Sequence, residues 1–297
     1  MPRPPLPAWY QDAFAAARVV ADRTVFFVVG CQKSGTSWVS RLAGSHPAVA
    51  CRGEGHYTDE LAPHLETALE RYNEASKVTT PMSFEDLLSV IRLVIDRRLA
   101  QLVTEGGRAD DIRAVGDKTP EAALAIPHLA TLYPAARFVH VIRDGRDGAV
   151  SGWAHLERTG ATGRYPSFAA YVADFARHHW RRYIETARRD GASRPDHYLE
   201  LRYEDLHRDP LPTARRLFAF LGVAADETVT SHCLEQASFR RLTGRLPGEE
   251  ARDAHLRKGV VGDWPEAFDT EARVAFEREA GALLATLGYA GPEAIAA

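Results

Sequence analysis

The feature that most constrains the fold is an alternation of short apolar runs with amphipathic stretches. Residues 24–29 and 137–142 are rich in β-branched and aromatic side chains, which is typical of buried strands. Residues 82–103 instead show apolar side chains at helical spacing. Strands that alternate with helices predict an α/β fold with a central parallel sheet and helices on both faces. Ligands of such sheets bind beyond the carboxyl ends of the strands.

The same patterns predict the order of elements along the chain. Further strands are expected at residues 48–51, 113–116 and 197–201. Further helices are expected at residues 36–43, 120–132, 144–156, 168–189, 213–221 and 268–287. We expect residues 1–23 to form an N-terminal arm, with a loose start at 1–7, and residues 24–297 to form a single domain. A long polar loop at 240–262 is expected to be functional or mobile.

Composition narrows the classes of protein that the chain can belong to. Of the 297 residues, 45% are hydrophobic and 26% are charged, which excludes a disordered, collagen-like or coiled-coil chain. A net charge of −3 argues against a nucleic-acid partner, so any anion site must be local. Three scattered cysteines argue against a disulfide framework and favour a reducing, cytoplasmic setting. No apolar run has the length of a membrane span, and residues 1–7 do not resemble a secretion signal.

The segment GCQKSGTSW at residues 30–38 joins the first expected strand to the first expected helix. A glycine-containing turn at a helix N-terminus offers backbone N–H groups to an anion, and Lys33, Thr36 and Ser37 add donors. Gly30 and Gly35 have the spacing of a nucleotide-binding P-loop, but Thr36 occupies the position of its lysine. An ATP-dependent kinase therefore remains only an alternative, and so does an ordinary turn with a solvated lysine.

The run Gln-Lys-Ser-Gly-Thr-Ser-Trp in this segment resembles the 5′-phosphosulfate loop of the sulfotransferases. These enzymes use 3′-phosphoadenosine 5′-phosphosulfate (PAPS) as donor, and the product is the bisphosphate PAP. The resemblance implies a P-loop-type α/β fold. It also implies that the donor is held by Lys33, Ser34, Gly35, Thr36, Ser37 and Trp38.

A second anion site is expected where the strand at 137–142 ends. Arg143 follows this strand, and Ser151 lies eight residues later, about two helical turns away. An arginine and a hydroxyl suit a phosphate monoester, and the pair resembles the 3′-phosphate motif of the sulfotransferases. We expect Arg146 to be solvated or ion-paired instead.

A third match lies in the long loop, where residues 257–264 read RKGVVGDW. This run resembles the C-terminal motif of the cytosolic sulfotransferases, which implies that Arg257, Lys258 and Gly259 bind the 3′-phosphate. Tyr203 resembles the tyrosine that contacts adenine. Trp38 and Phe239 resemble the aromatic residues that flank the base.

The residues expected to act in transfer follow from the same resemblance. Lys33 is expected to neutralise the leaving phosphate, and Lys118 is expected to be a second cation near the sulfuryl group. The cytosolic branch has a histidine base soon after this lysine, but Thr119 and Pro120 follow here. Glu54, in the run GEGHY, resembles the glutamate base of carbohydrate sulfotransferases, and His56 is the alternative base.

Together these motifs predict sulfuryl transfer from PAPS to a hydroxyl, or as a second choice an amine, of a small molecule or carbohydrate. No metal is expected. A non-catalytic nucleotide-binding protein is a further alternative. We expect residues 57–103 and 153–171 to line the acceptor site, and their aromatic side chains are as readily explained by packing.

Overall fold

Five parallel strands form one sheet in the computed structural model, which describes residues 6–75, 77–107, 109–251, 254 and 256–289. The strands are β1 (Thr24–Gly30), β2 (Val49–Cys51), β3 (Ala114–Lys118), β4 (Arg137–Ile142) and β5 (Tyr198–Arg202). Their order across the sheet is β2-β3-β1-β4-β5, and every neighbouring pair is parallel. The predicted α/β fold with a central parallel sheet is confirmed.

Strand β1 lies at the centre because its side chains can be buried on both faces of the sheet. Val25, Phe27 and Val29 pack into the core on one face. Phe26 and Val28 pack into the core on the other face. This period of two is the period of a strand, and an apolar residue at every position is what a strand covered on both sides requires.

Helices cover both faces of the sheet. They are α1 (Ala8–Ala21), α2 (Thr36–Gly44), α3 (Ala62–Glu74), α4 (Phe84–Thr104), α5 (Ile126–Leu132), α6 (Gly145–Thr159), α7 (Phe168–Asp174), α8 (Arg182–Gly191), α9 (Tyr203–Arg208), α10 (Pro210–Leu221), α11 (Glu227–Gln236), α12 (Phe239–Thr243), α13 (Trp264–Ala267) and α14 (Thr270–Thr286). A π-helical segment, Phe175–Arg181, joins α7 to α8. Within the described ranges, no helix combines the length and the apolar character that crossing a bilayer would need.

The N-terminal region differs from the arm expected at residues 1–23. Residues 8–21 form helix α1, which buries Ala13, Ala16 and Val20 and packs along α4. These three residues recur at helical spacing, whereas Trp9 and Phe14 of the same helix are exposed. Residues 1–5, most of the expected loose start, lie outside the described residues.

Other boundaries shift by a few residues. Strand β3 extends to Lys118, so Asp117 and Lys118 belong to the strand rather than to the loop after it. The helix expected at 120–132 is a 3₁₀ turn, Pro120–Leu124, followed by α5. The loop expected at 240–262 begins inside α12, and its residues 252, 253 and 255 lie outside the described part.

The strand order creates a crevice between β1 and β4. The chain leaves β1 towards β2 on one side of the sheet, and it leaves β4 towards β5 on the other side. Diverging connections of this kind open a cleft at the carboxyl ends of the two strands, where ligands of α/β proteins bind. The segment at 30–38 and Arg143 both lie at this edge, because they follow β1 and β4 directly.

Candidate functional site

A cavity of about 590 Å³ opens at the carboxyl edge of the sheet. Its walls include residues that follow each of the five strands, together with the segment 256–260. Most of the residues that the sequence assigned to the donor line it. They are Lys33, Gly35, Thr36, Ser37, Trp38, Arg143, Ser151, Tyr203, Phe239, Arg257, Lys258 and Gly259. Ser34 lies in the same loop but is buried and is not among the lining residues.

The loop after β1 has the backbone that an anion cradle needs. Lys33 and Gly35 both have positive φ angles, 70° and 93°, and helix α2 begins immediately after them at Thr36. No side chain of the described residues caps this helix, so its first turn faces the cavity with its positive dipole end. Burial, with a contribution from the charge of Arg158, lowers the pKa of Lys33.

Two features explain why residue 35 is glycine: its positive φ and its close contact with Tyr203. A Cβ atom at this position would lie 2.4 Å from the ring of Tyr203. The phenol ring therefore packs directly on the loop, and this contact joins the loop after β1 to the start of α9. Even a residue that tolerates a positive φ would have a Cβ atom too close to Tyr203, so only glycine fits at this position.

Arg143 connects three parts of the cavity wall. Its Nη1 donates to the carbonyl oxygen of Lys33 at 3.2 Å, and its Nη2 donates to that of Val260 at 3.0 Å. Its guanidinium carbon lies 4.3 Å from the ring centre of Tyr203. The side chain is only 11% exposed, and its Nε has no partner among the described residues. A buried, unpaired guanidinium N–H in a cavity wall fits an anionic ligand.

The segment 257–259 supplies two further cations, which are paired within the chain. Arg257 contacts Glu250 and lies 2.5 Å from Asp263, and Lys258 contacts the other oxygen of Asp263. Gly259 has a φ of 65°, and a Cβ there would lie 2.5 Å from the ring of Phe239. The same segment thus carries the basic groups and supports an aromatic residue of the cavity.

Aromatic rings form one end of the cavity. Trp38, Tyr203 and His207 contact one another at centroid distances of 4.7–5.4 Å, and Phe239 lines the same cavity. Trp38 is fixed by a bond of 2.9 Å from its Nε1 to the carbonyl oxygen of Ala237. His207 was missed from the sequence, although it lies one helical turn after Tyr203 on α9. This end of the cavity is suited to a planar base.

Lys118 and Glu54 contact each other beside the first turn of α2, and of the two only Glu54 is among the residues that line the cavity. Lys118 is buried, and its Nζ also donates to Ser37 Oγ at 3.2 Å. Burial alone would raise the pKa of Glu54, but the hydrogen bond and the charge of Lys118 lower it overall. The carboxylate is therefore ionised at neutral pH and can accept a proton.

His56 lies beside Glu54 but has a different set of partners. Its Nε2 is 3.4 Å from Glu54 Oε2, and its Nδ1 is 2.7 Å from Asp59 Oδ2. The hydrogen bond with Asp59 raises the pKa of His56. Its φ of 47° is unusual for a residue with a side chain, which indicates that its surroundings fix this conformation.

Aromatic residues of the α7–α8 region line the part of the cavity beyond the lysines. Tyr171, Phe175 and His179 recur every four residues, and their rings contact in series at 5.9 Å. Tyr165 also lines the cavity and contacts Tyr171. Of the other aromatic residues in the segments expected to hold the acceptor, Tyr57 and Phe168 pack against the core, whereas Tyr72 and Phe84 are exposed.

One group of side chains has the composition of a metal site. His56, Asp59 and Glu121 bring their potential ligand atoms within 4.8 Å of one another. Asp59 Oδ1 and Glu121 Oε2 are buried and have no partner among the described residues. The sequence expected no metal, and this expectation stays a prediction.

Comparisons with known proteins give the family of the chain. The model of the sulfotransferase family matches residues 26–227. The chain is 27% identical to a 3-alpha-hydroxysteroid sulfotransferase of Cavia porcellus over 229 residues, which are 68% of this chain and 80% of that one. It is 23% identical to protein-tyrosine sulfotransferase 1 of Danio rerio over 212 residues, which are 71% of this chain but only 56% of that protein.

Solved structures share the fold. The crystal structure of mouse sulfotransferase SULT7A1 complexed with PAP superposes with a TM-score of 0.56 at 15% identity, covering 92% of this chain and 88% of that one. At this identity, the likeness concerns the fold alone. The family model, by contrast, spans β1 to β5 and includes the segment at 30–38 and Arg143. The chain therefore belongs to the sulfotransferase family.

Proposed function

We propose that this protein transfers a sulfuryl group from PAPS to a hydroxyl, or as a second choice an amine, of a small-molecule or carbohydrate acceptor. The observation that carries the proposal is a single cavity with an aromatic end and two cationic regions, which meet where Arg143 donates to the carbonyl oxygen of Lys33. Lys33, which lines the cavity, and Lys118, which is buried and donates to Ser37 beside it, form one region, and Arg143 and Arg257 form the other. A nucleoside with phosphate groups at both its 5′ and 3′ positions needs two cationic regions. A kinase substrate such as ATP carries phosphate only at the 5′ position and needs one cationic region.

The residues present fit PAPS on three physical grounds. The unpaired Nε of Arg143 and the hydroxyl of Ser151 suit its 3′-phosphate. The first turn of α2 with Lys33 suits the phosphosulfate, and the aromatic end suits adenine. When bound, PAPS supplies an activated sulfuryl group.

Lys33 and Lys118 provide fixed positive charge at the reacting end of the cavity. Both are substantially removed from water, so each interacts more strongly with an anion than a surface lysine would. Lys118 is held in place by Ser37 and Glu54. We infer that the two lysines stabilise the negative charge that develops on the departing phosphate oxygen.

Glu54 is our choice for the general base. It is ionised at neutral pH and lines the cavity. It would accept the proton of the acceptor hydroxyl. An incoming anion that shares Lys118 would weaken the pairing of Glu54 with this lysine and make the carboxylate more basic. His56 is the alternative base, because its ring lies next to Glu54. The distance from His56 Nε2 to Glu54 Oε2 is 3.4 Å.

The acceptor is expected to bind against the aromatic wall formed by Tyr165, Tyr171, Phe175 and His179. Such a wall favours a ring, either planar or a sugar, with its hydroxyl directed at Glu54. In this arrangement Lys33 and Lys118 are also close to the acceptor hydroxyl.

Three measurements test the proposal. Calorimetric titration with PAP should give micromolar or tighter binding, and the absence of binding would refute the donor assignment. Single-turnover reactions with labelled PAPS and panels of phenols, alcohols, amines and sugars should label at least one acceptor. Binding of PAP without any transfer would instead favour the non-catalytic alternative. We expect turnover to persist in the presence of EDTA. If EDTA abolishes turnover and divalent ions restore it, His56, Asp59 and Glu121 become the candidate metal site.

Three free cysteines, Cys31, Cys51 and Cys233, support the proposal of a reducing, cytoplasmic setting. We also propose that residues 24–297 act as one domain, because the strands of the single sheet come from residues 24–202 and α14 packs against α7. Helix α1 belongs to the same domain, since Ala16 and Val20 are part of its core. Residues 290–297 lie outside the described part.

A further inference from the structure

Asp147 is a buried carboxylate that the motifs did not assign to any role. It lies in the first turn of α6 and is 1% exposed. Removing a carboxylate from water is costly unless hydrogen bonds or opposite charges compensate for it. The partners of Asp147 therefore indicate why it is there.

Its partners are the backbone of a distant segment and the arginine one turn before it. Asp147 Oδ2 accepts from the N–H of Gly262 at 2.7 Å, and Oδ1 accepts from those of Asp263 and Trp264 at 2.8 and 3.0 Å. Oδ2 also lies 3.5 Å from Nη2 of Arg143. One carboxylate thus joins three consecutive amides to the arginine that follows β4.

The contacts continue from this backbone to the basic side chains of the cavity. The carboxylate of Asp263, whose own N–H is bound by Asp147, contacts both Arg257 and Lys258. Arg143 in turn donates to the carbonyl oxygen of Val260. Asp147 is therefore bonded, directly or through one residue, to every cation of the second cationic region.

We propose that Asp147 is a positioning residue that holds Arg143 and the segment 257–259 in one arrangement for the 3′-phosphate of the nucleotide. This inference rests on the proposed function, because it assigns that phosphate to this region. Asp147 is buried beneath the segment and would not itself touch the ligand.

Electrostatics and positioning predict opposite results when Asp147 loses its charge. A negative charge close to Arg143 opposes the binding of a phosphate, so its removal alone would strengthen binding. If Asp147 acts by positioning, its replacement by asparagine weakens binding, because the NH₂ group that replaces one carboxylate oxygen cannot accept the backbone N–H that this oxygen binds. The direction of the change therefore identifies the role.

The experiment compares Asp147→Asn with Asp144→Asn. The control removes one negative charge from the same turn, where Asp144 caps α6 and pairs with Arg146. Dissociation constants are measured by calorimetry for PAP and for AMP, which lacks the 3′-phosphate. We expect Asp147→Asn to weaken PAP about tenfold or more and AMP less than twofold, since a hydrogen bond to a charged group contributes roughly a factor of ten. Asp144→Asn should leave the ratio of the two constants within about twofold of wild type.

Unchanged or tighter PAP binding by Asp147→Asn would overturn the proposal, and so would an equal loss for PAP and AMP. If this variant does not fold, hydrogen exchange of the wild-type protein gives the second test. The amides of residues 262–264 should exchange slowly without nucleotide, and exchange at the rate of an unprotected peptide would refute the contact. A wild-type protein that binds no PAP would refute the proposed function, while the protection of these amides would still be measurable.

Discussion

The backbone N–H of Gly55 donates to Oδ1 of Asp117 at 2.8 Å, and this bond fixes the segment of Glu54 to the end of β3. Asp117 Oδ2 accepts from the hydroxyl of Thr119 at 2.7 Å, and that hydroxyl oxygen accepts from the N–H of His56 at 3.3 Å. The candidate bases are therefore held next to Lys118 by the residues on either side of this lysine. Asp117 thus binds the backbone of the segment 54–56, as Asp147 binds the backbone of the segment 262–264.

The position of Asp117 predicts a dependence of stability on pH. Burial raises its pKa from 3.8 to about 6. The folded state therefore binds a proton on Asp117 more tightly than the unfolded state does. The contribution of this protonation to the free energy of unfolding is fully present below pH 3.8 and is lost as the pH rises through about 6. A shift of this size corresponds to about 3 kcal/mol.

Asp117→Asn removes this titration while nearly keeping the shape of the side chain. Between pH 4 and pH 7, the free energy of unfolding of the variant should therefore rise relative to wild type by up to about 3 kcal/mol. Urea unfolding of both proteins at several pH values measures the difference. A difference that does not vary with pH would show that Asp117 titrates normally.

The motifs were predictable from the sequence because each lies in one short segment next to a strand. Parallel strands end at the same edge of the sheet, so Lys33, Lys118 and Arg143 had to converge once the strands were identified. This reasoning needs only the local pattern and the order of elements.

The residues that support the motifs were not predictable in this way. Asp147 binds amides that are 115–117 positions away, and Trp38 binds a carbonyl 199 positions away. Such pairs depend on how the helices pack, and no spacing in the sequence records them. Helix α1 was missed although its buried residues, Ala13, Ala16 and Val20, recur at helical spacing, so the apolar signal was present in the sequence.

Lys33→Ala should reduce the rate of transfer by about 10²–10³, the usual effect of losing one donor that stabilises developing charge. PAP affinity should fall much less, because Arg143 and the segment 257–259 still bind the other end of the nucleotide. The measurements are single-turnover rates with labelled PAPS and calorimetry with PAP. Turnover near that of wild type would remove Lys33 from the mechanism.

Glu54 and His56 predict different pH–rate profiles. Lys118 outweighs the effect of burial and keeps the pKa of Glu54 below its usual 4.5, so a rate that depends on Glu54 should be constant through neutral pH. Asp59 raises the pKa of His56 above 6.5, so a rate that depends on neutral His56 should still be rising there.

Substitutions separate the two bases independently of pH. Glu54→Gln should impair transfer without weakening PAP binding, because Glu54 does not hold the nucleotide and its charge competes with an anion for Lys118. His56→Ala should lower the rate by a smaller factor. If His56→Ala abolishes transfer and Glu54→Gln does not, the base is His56.

Gly35→Ala tests whether the loop after β1 and the ring of Tyr203 depend on each other. An alanine at a φ of 93° is strained, and its Cβ would lie 2.4 Å from Tyr203. Gly160→Ala is the matched control, because Gly160 has a φ of 68° but no atom within 4 Å of the added Cβ. Backbone strain should cost both variants about 1–2 kcal/mol of stability. Gly35→Ala alone must also displace Tyr203, so it should lose more stability and bind PAP at least tenfold more weakly. Equal losses of stability with unchanged PAP affinity in both variants would show that the phenol ring moves away freely and does not support the nucleotide loop.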